Sequence, residues 1–279
     1  MSYKIIVDSC CDLTPAQFLQ GPFIRVPLTI SLAGEEIIDD DTFDQNHLLL
    51  LMRENAEPPQ TACPSPAQFL DAFEQAGADD LYVVTMSALV SGSHNSAAQA
   101  QAIWMEDHPE AHLHIFNSCS AVAGEVQVAL KLQELAESGL PFADVVKAGS
   151  KYITELTTYF VLEDLDHLRK NGRLTGALAL VTEALRIKLL MGVTPEGEIK
   201  KVGQALSIRQ ALTRMVSLIA NDPNHVGKTL ALVHCNDFER AVFVRGLIQK
   251  SCQFTDIRIS DTRGISTAYA NNGGIVVAY

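Results

Sequence analysis

The feature that most limits the folds open to this chain is a repeated unit: a short apolar β run, a turn crowded with hydroxyls, then a helix. Its clearest copy is LYVVTMSALVSGSHNSAAQA, Leu81 to Ala100. Leu81 to Val84 reads as a buried strand, the Ser/Gly segment as a turn, and the Ala/Gln-rich stretch from Ser93 as a helix. Such a turn faces free backbone N–H groups and the positive end of the helix dipole. No lysine or arginine occurs between Glu54 and Leu130. An anion held here would rest on hydroxyls and amides alone, which suits a small singly charged head group better than a polyphosphate.

The same unit recurs through the first half. Tyr3 to Asp8 is a strand leading into DSCCDLTPAQF, where Thr14-Pro15 starts a helix with proline in its first turn. Phe23 to Leu32 reads as one or two strands broken at Pro27, and Asp44 to Arg53 as a Leu-rich helix followed by the loop ENAEPPQTACPSP. A helix over Pro66 to Gln75, the Leu81 strand, a helix over Ser93 to Glu106 and a strand over His112 to Phe116 come next. NSCSAVAGEVQVAL then gives a second hydroxyl-rich turn before a helix. Strands spaced by helices imply a parallel sheet whose ligands lie beyond the strands' carboxyl ends. Asp8-Ser9, Ser87 to Ser93 and Asn117-Ser118 all fall there.

After about residue 160 the pattern changes. Val161 is expected to open a helical segment, LEDLDHLRKNGRLTG. IKLLMGVTPEGEIKKVGQ reads as an antiparallel hairpin turning at Pro195-Glu196-Gly197. Helices over Ser207 to Ala220, Phe238 to Gln249 and Arg263 to Asn271 alternate with strands over Thr229 to His234, Phe254 to Ile259 and Gly274 to Tyr279. The expected fold is α/β in two domains. Residues 1–160 carry a mainly parallel sheet flanked by helices, and 161–279 form an α+β domain with a mixed sheet. No Gly/Ser linker separates them, so a cleft between closely packed domains is expected to hold the ligand.

Charge and cysteine usage exclude several classes. The net charge is −12, divided as −16 before residue 160 and +4 after it. So acidic a first half argues against nucleic acid and anionic membrane as partners. No apolar run approaches a membrane span, and MSYKIIVDS reads as a strand rather than a leader, so a cytoplasmic protein without stable membrane insertion is expected. The six cysteines include no CxxC pair and are read as reduced core or near-core thiols, with no metal site.

Individual candidates have simpler alternatives. Thr61 precedes a proline-bounded helix and could serve only as a loop cap. Ser91-Gly92-Ser93 could be a plain helix start, although three serines within seven positions at a strand end favour a binding turn equally. A serine-dependent enzyme acting on a lipid or acyl substrate through Ser91 or Ser93 is the alternative reading. GxSxG is absent, however, and His94 shares the same helix start. Asp39-Asp40-Asp41 is expected to be a solvated acidic loop rather than a Mg²⁺ site. His167, Arg169, Lys170 and Arg173 suit a helix C-terminus stopped by Gly172.

Four segments in register resemble the DegV family of bacterial fatty-acid-binding proteins. DSCCDL is similar to its Asp-Ser-x-x-Asp-Leu, TACPSP to Thr-Ser-Gln-Pro-Ser, MSALVSGSHNSA to Leu-Ser-x-x-Leu-Ser-Gly-Thr-x-x-Ser-Ala, and LDHLRKNGRLTG to Leu-x-x-Leu-Arg-x-Gly-Gly-Arg-Ile. The likeness runs from Tyr3 to Tyr279. It implies a two-domain lipid carrier with no catalytic residue or cofactor, holding a long-chain fatty acid in an apolar tunnel. The family's anchoring threonine falls on Thr61, and its second hydroxyl contact on Ser93, with Ser91 and Gly92 adjacent. Arg169, Arg173 and Tyr269 become head-group or partner contacts. The bound acid would be presented to a separate fatty-acid kinase for phosphorylation. Tyr269 stands where the family often has histidine, and Leu206 where it often has arginine. These two departures bear on kinase docking and leave the lipid anchor in place.

Overall fold

The computed structural model describes residues 2–174 and 187–279. The end of the basic motif, Thr175-Gly176, lies outside them.

The first strand, β1 (Tyr3–Asp8), is central, and its Ile5, Ile6 and Val7 are wholly buried. A continuous apolar run suits a parallel strand covered on both faces. Helix α1 (Pro15–Gln20) starts with a capping box: Thr14 Oγ1 accepts from Gln17 N, and the Gln17 side chain accepts from Thr14 N. Then come β2 (Phe23–Val26), β3 (Thr29–Leu32), β4 (Glu35–Ile38), α2 (Gln45–Glu54) and β5 (Gln60–Ala62). Helix α3 (Pro66–Ala76) repeats the capping box with Ser65 and Gln68. Strand β6 (Asp80–Thr85), α4 (Ser93–Asp107), β7 (His112–Asn117), α5 (Ala123–Glu137) and α6 (Phe142–Thr154) complete the first half.

These strands build two sheets. A four-stranded sheet in the order β2-β1-β6-β7 is parallel throughout. Beside it stands a small antiparallel sheet, β4-β3-β5.

Next come β8 (Thr158–Val161), α7 (Asp166–Lys170), β9 (Lys188–Val193), β10 (Ile199–Ala205), α8 (Ile208–Asn221), β11 (Thr229–His234), α9 (Phe238–Ser251), β12 (Asp256–Asp261), α10 (Gly264–Ala270) and β13 (Ile275–Ala278). The strands form a mixed six-stranded sheet, β10-β9-β8-β13-β11-β12, in which only β11 and β12 run parallel.

The α/β architecture with one parallel and one mixed sheet agrees with the sequence. Several local expectations do not. Val161 ends β8 rather than opening a helix, because β8 is claimed by β13 and β9 on its two sides. The strand therefore crosses residue 160. The expected strand from Phe254 begins two residues later, at Asp256. Strands β4 and β5 and helix α6 have no counterpart in the sequence reading.

The acidic loop is also different. Asp39 is fully buried, and its carboxylate accepts from Gly264 N at 2.9 Å and Ile265 N at 2.8 Å. It thereby satisfies two N–H groups at the start of α10 from another part of the chain. Only Asp41 of the three is fully exposed.

Candidate functional site

The elements converge on one cavity of about 350 Å³, within the usual range for small-molecule sites, roughly 300–1,000 Å³. All three sheets contribute. Phe160 on β8 and Val276 on β13 come from the mixed sheet, Thr61 on β5 from the small sheet, and Ser87 to Gly92 from the loop beyond β6. Beyond β6 is the carboxyl edge of the parallel sheet, where a ligand is expected.

Most of the wall is apolar: Leu28, Met86, Phe160, Leu162, Leu168 and Val276 all face it. Apart from Ser266, which lies 3.8 Å from Cys10 Sγ, its hydroxyls fall into two sets. Ser87 donates to Gly197 O at 2.8 Å, and Ser120 pairs with Thr158 at 2.8 Å, so both are engaged in holding the wall together. The others meet at one end. The Thr61 and Tyr269 hydroxyls share a hydrogen bond of 2.7 Å, and Ser91 is 3.0 Å from the Ser93 hydroxyl.

Backbone geometry supports this end. Gly92 is the N-cap of α4, whose start carries no side-chain cap. A Cβ on Gly92 would come within 2.8 Å of Cys63 Sγ, so the close passage of the two loops needs glycine here. In the second hydroxyl turn Cys119 and the β-branched Val122 have φ of 48° and 55°. Non-glycine residues in that region are strained, and such strain collects at binding sites.

Of the residues singled out from sequence, Thr61, Ser91, Gly92, Arg173 and Tyr269 lie on the cavity. Ser93 is fully buried one step behind Ser91. Arg169 is off the lining, with Nη2 at 3.5 Å from Asp166. Leu206 is exposed in the loop after β10.

Arg173 is the only charged side chain among the described lining residues. Its Nη1 donates to Asn171 O at 2.6 Å and its Nε to Val90 O at 3.3 Å, while the guanidinium faces the Tyr269 ring at 5.8 Å. These contacts fix it at the edge of the hydroxyl end.

Sequence reasoning passed over Cys10 and Ser266, which also line the cavity, and Glu125, which lies beneath it. An acid inside the otherwise apolar helical run AVAGEVQVAL was the available signal. Cysteines 10, 11 and 235 are buried as expected, but Cys63 is exposed beside the cavity because β5 is a short edge strand.

Under the serine turn an Asp8 carboxyl oxygen, Cys10 Sγ and a Glu125 carboxyl oxygen lie within 4.8 Å of one another, all buried. Asp8 Oδ1 already accepts from Cys10 N and Oδ2 from Met86 N, both at 3.0 Å. Burial pushes the Cys10 thiol well above its ordinary range, which keeps it protonated and a poor cation ligand. Burial also raises Glu125 well above the carboxylate range, with Asp8 and Asp12 adding repulsion.

No histidine stands over the serines. His94 Nδ1 is 3.2 Å from Thr85 Oγ1, and among the described residues none bonds to Ser91 or Ser93.

The model of the DegV family, described as uncharacterised proteins, matches residues 2–279. The chain belongs to the DegV family. A DegV domain-containing protein of Streptococcus pneumoniae is 34% identical over 286 residues, covering 100% of this chain and 99% of that one. Among solved structures, a DegV family protein from Ruminococcus gnavus, refined with vaccenic acid, is 43% identical with a TM-score of 0.94 and full coverage of both chains. The Streptococcus pneumoniae Fatty Acid Kinase (Fak) B3 protein, loaded with linoleic acid, is 32% identical with a TM-score of 0.91, covering 100% of this chain and 99% of that chain. Among the described residues of this DegV chain, no helix is long and apolar enough to cross a membrane.

Proposed function

We propose that this chain is a carrier of long-chain fatty acids, holding the acyl chain in the apolar cavity with the carboxyl group at the hydroxyl end. The observation that carries the reading is the asymmetry of the cavity. Its wall is hydrocarbon, and its polar end gathers Thr61, Tyr269 and Ser91 with one edge arginine. Two relatives above 30% identity, loaded with unsaturated acids, support it.

The energetics agree. Burying about 14 methylenes at roughly 0.8 kcal/mol each is worth on the order of 11 kcal/mol before ordering costs. The head group then needs orientation more than Coulombic attraction, and a neutral anchor avoids the desolvation of a buried ion pair. Thr61 and Ser91 contact the carboxyl, Gly92 lets the backbone approach, and Ser93 braces Ser91 from behind. The elongated tunnel of the family corresponds to the path between Phe160 and the Thr61 end.

The same reading makes the protein non-catalytic and cytoplasmic, and it presents the acid to a fatty-acid kinase, as the likeness to the Fak B3 protein suggests. Arg173 and Tyr269, at the cavity edge, are the contacts open to that partner. The division into two domains falls near residue 160, and the membership of β8 in the mixed sheet favours a boundary just before Thr158.

The test is a double substitution. Thr61→Val with Ser93→Ala should weaken binding of a fluorescent long-chain acid at least tenfold while leaving the circular dichroism unchanged. Undiminished affinity would remove the anchor.

A further inference from the structure

The ionisable pair beneath the serine turn has a consequence for how an acid can be bound. Asp8 and Glu125 are both wholly buried. Among the described residues, neither Glu125 oxygen meets a hydrogen-bond donor. The neighbour it does meet is another acceptor, the Asp8 carboxyl, which it can engage only by carrying a proton. Asp8, with two backbone N–H groups on it, is the ionised member of the pair.

Asp8 is also hydrogen-bonded by Ser93, whose hydroxyl is 3.0 Å from Ser91. A serine has one hydroxyl hydrogen. With Asp8 ionised, Ser93 must donate to Asp8, and Ser91 must donate to Ser93. Ser91 Oγ accepts Ser93 N–H as well, at 3.2 Å. Ser91 then has no hydrogen left to donate into the cavity, and a carboxylate beside it would face its lone pairs. A proton on Asp8 reverses the chain: Asp8 donates to Ser93, Ser93 to Ser91, and Ser91 to the head group.

Among the described residues, the remaining groups around the pair supply no cation to do this instead. The loop after β1 brings Cys10, Cys11 and Asp12, which are neutral or acidic; Arg263 gives Asp12 only its backbone N–H, while its guanidinium donates to Asp40 O and lies beside Asp39 and Asp41. The loop after β6 brings Met86 N, and α4 brings Ser93.

We propose that the carboxylate head group is bound together with one proton from solvent, which lodges on Asp8 and turns the Ser93 and Ser91 hydroxyls toward the ligand. The proposal rests on the fatty-acid reading above and makes Asp8 and Glu125 positioning residues for its anchor. In the empty protein Asp8 is raised only to about 6, chiefly by burial, so it is ionised at neutral pH and takes up the proton when the ligand arrives.

The experiment is calorimetric titration of the delipidated full chain with oleic acid at pH 8, in two buffers of different ionisation enthalpy. Uptake of about one proton per acid is expected. Affinity should be flat below about pH 6 and fall about tenfold per pH unit above it. Asp8→Asn, whose amide donates to Ser93 without titrating, should abolish the uptake and flatten the pH profile. Ser93→Ala cuts the chain while leaving both carboxyl residues in place and should also lose the uptake, which covers a failure of Asp8→Asn to fold. No uptake in the wild type overturns the proposal. So does an unchanged uptake in either variant, because the proton would then reside on the ligand. Absence of binding at every pH would instead overturn the fatty-acid reading itself.

Discussion

The hydroxyls of Thr61 and Tyr269, 208 residues apart in sequence, meet at 2.7 Å and tie β5 to α10 across the cavity. When Tyr269 donates to Thr61, Thr61 keeps its own hydrogen for a carboxyl. The two substitutions should therefore separate. Thr61→Val is expected to weaken acid binding about tenfold, as a lost charge-assisted hydrogen bond of roughly 1.5 kcal/mol would. Tyr269→Phe is expected to lower folding stability by about 1 kcal/mol while changing affinity less than threefold. Equilibrium denaturation and ligand titration of both variants check this.

A second junction holds the same helix. A Cβ on Gly264 would lie 2.6 Å from Asp39 Cγ, and Asp39 carries the first two N–H groups of α10. Gly264→Ala should cost about 1–3 kcal/mol by overpacking. Asp39→Ala should cost a similar amount by leaving two buried donors unpaired. Urea midpoints measure both, and wild-type midpoints would contradict the cap.

The buried carboxyls predict an unusual acid response. Asp8 titrates at about 6 in the folded chain, above its ordinary value of 3.8. A raised folded value means that the contribution to stability is complete below about pH 4 and is lost as pH rises through 6. The shift corresponds to about 3 kcal/mol. Burial moves Glu125, Asp12 and Asp39 in the same direction. Urea midpoints should therefore hold or rise between pH 7 and pH 5, and the rise should shrink in Asp8→Asn. A steep fall over that range would contradict the account.

A carrier needs no activated nucleophile. With His94 engaged by Thr85, neither Ser91 nor Ser93 has a histidine base beside it among the described residues. A fluorophosphonate probe should leave the protein unlabelled under conditions that label a serine hydrolase completely. Stoichiometric labelling at Ser91 would restore the enzymatic alternative.

Local signals carried most of the fold. The Thr14-Pro15 and Ser65-Pro66 starts were legible because a hydroxyl residue followed by proline at the first helical position is written in adjacent residues. The hairpin at Pro195 to Gly197 was legible for the same reason, and its strands lie where the turn puts them. Strands β4 and β5 were not, because Glu35–Ile38 is mostly exposed and Gln60–Ala62 is three residues long; both exist only through pairing with β3. Val161 misled because its strand is fixed by β13, more than a hundred residues away.

The site divides along the same line. Ser91 and Gly92 could be named because a hydroxyl-rich turn at a strand end is visible as a run, whereas Thr61 was named through the resemblance to the DegV family. Asp39 looked like a solvated acid because its partners, Gly264 and Ile265, lie 225 residues or more downstream. Glu125 was hidden for a comparable reason: it lies on α5 while its neighbour Asp8 ends β1, 117 residues earlier, and neither residue belongs to a recognisable spacing.

The most direct test is to identify what the protein carries. Denaturing extraction of the chain purified without added lipid, followed by mass spectrometry, should release a C14 to C18 fatty acid in near-equimolar amount. Repeated preparations that yield no acid, and an empty protein that fails to take one up, would contradict the assignment.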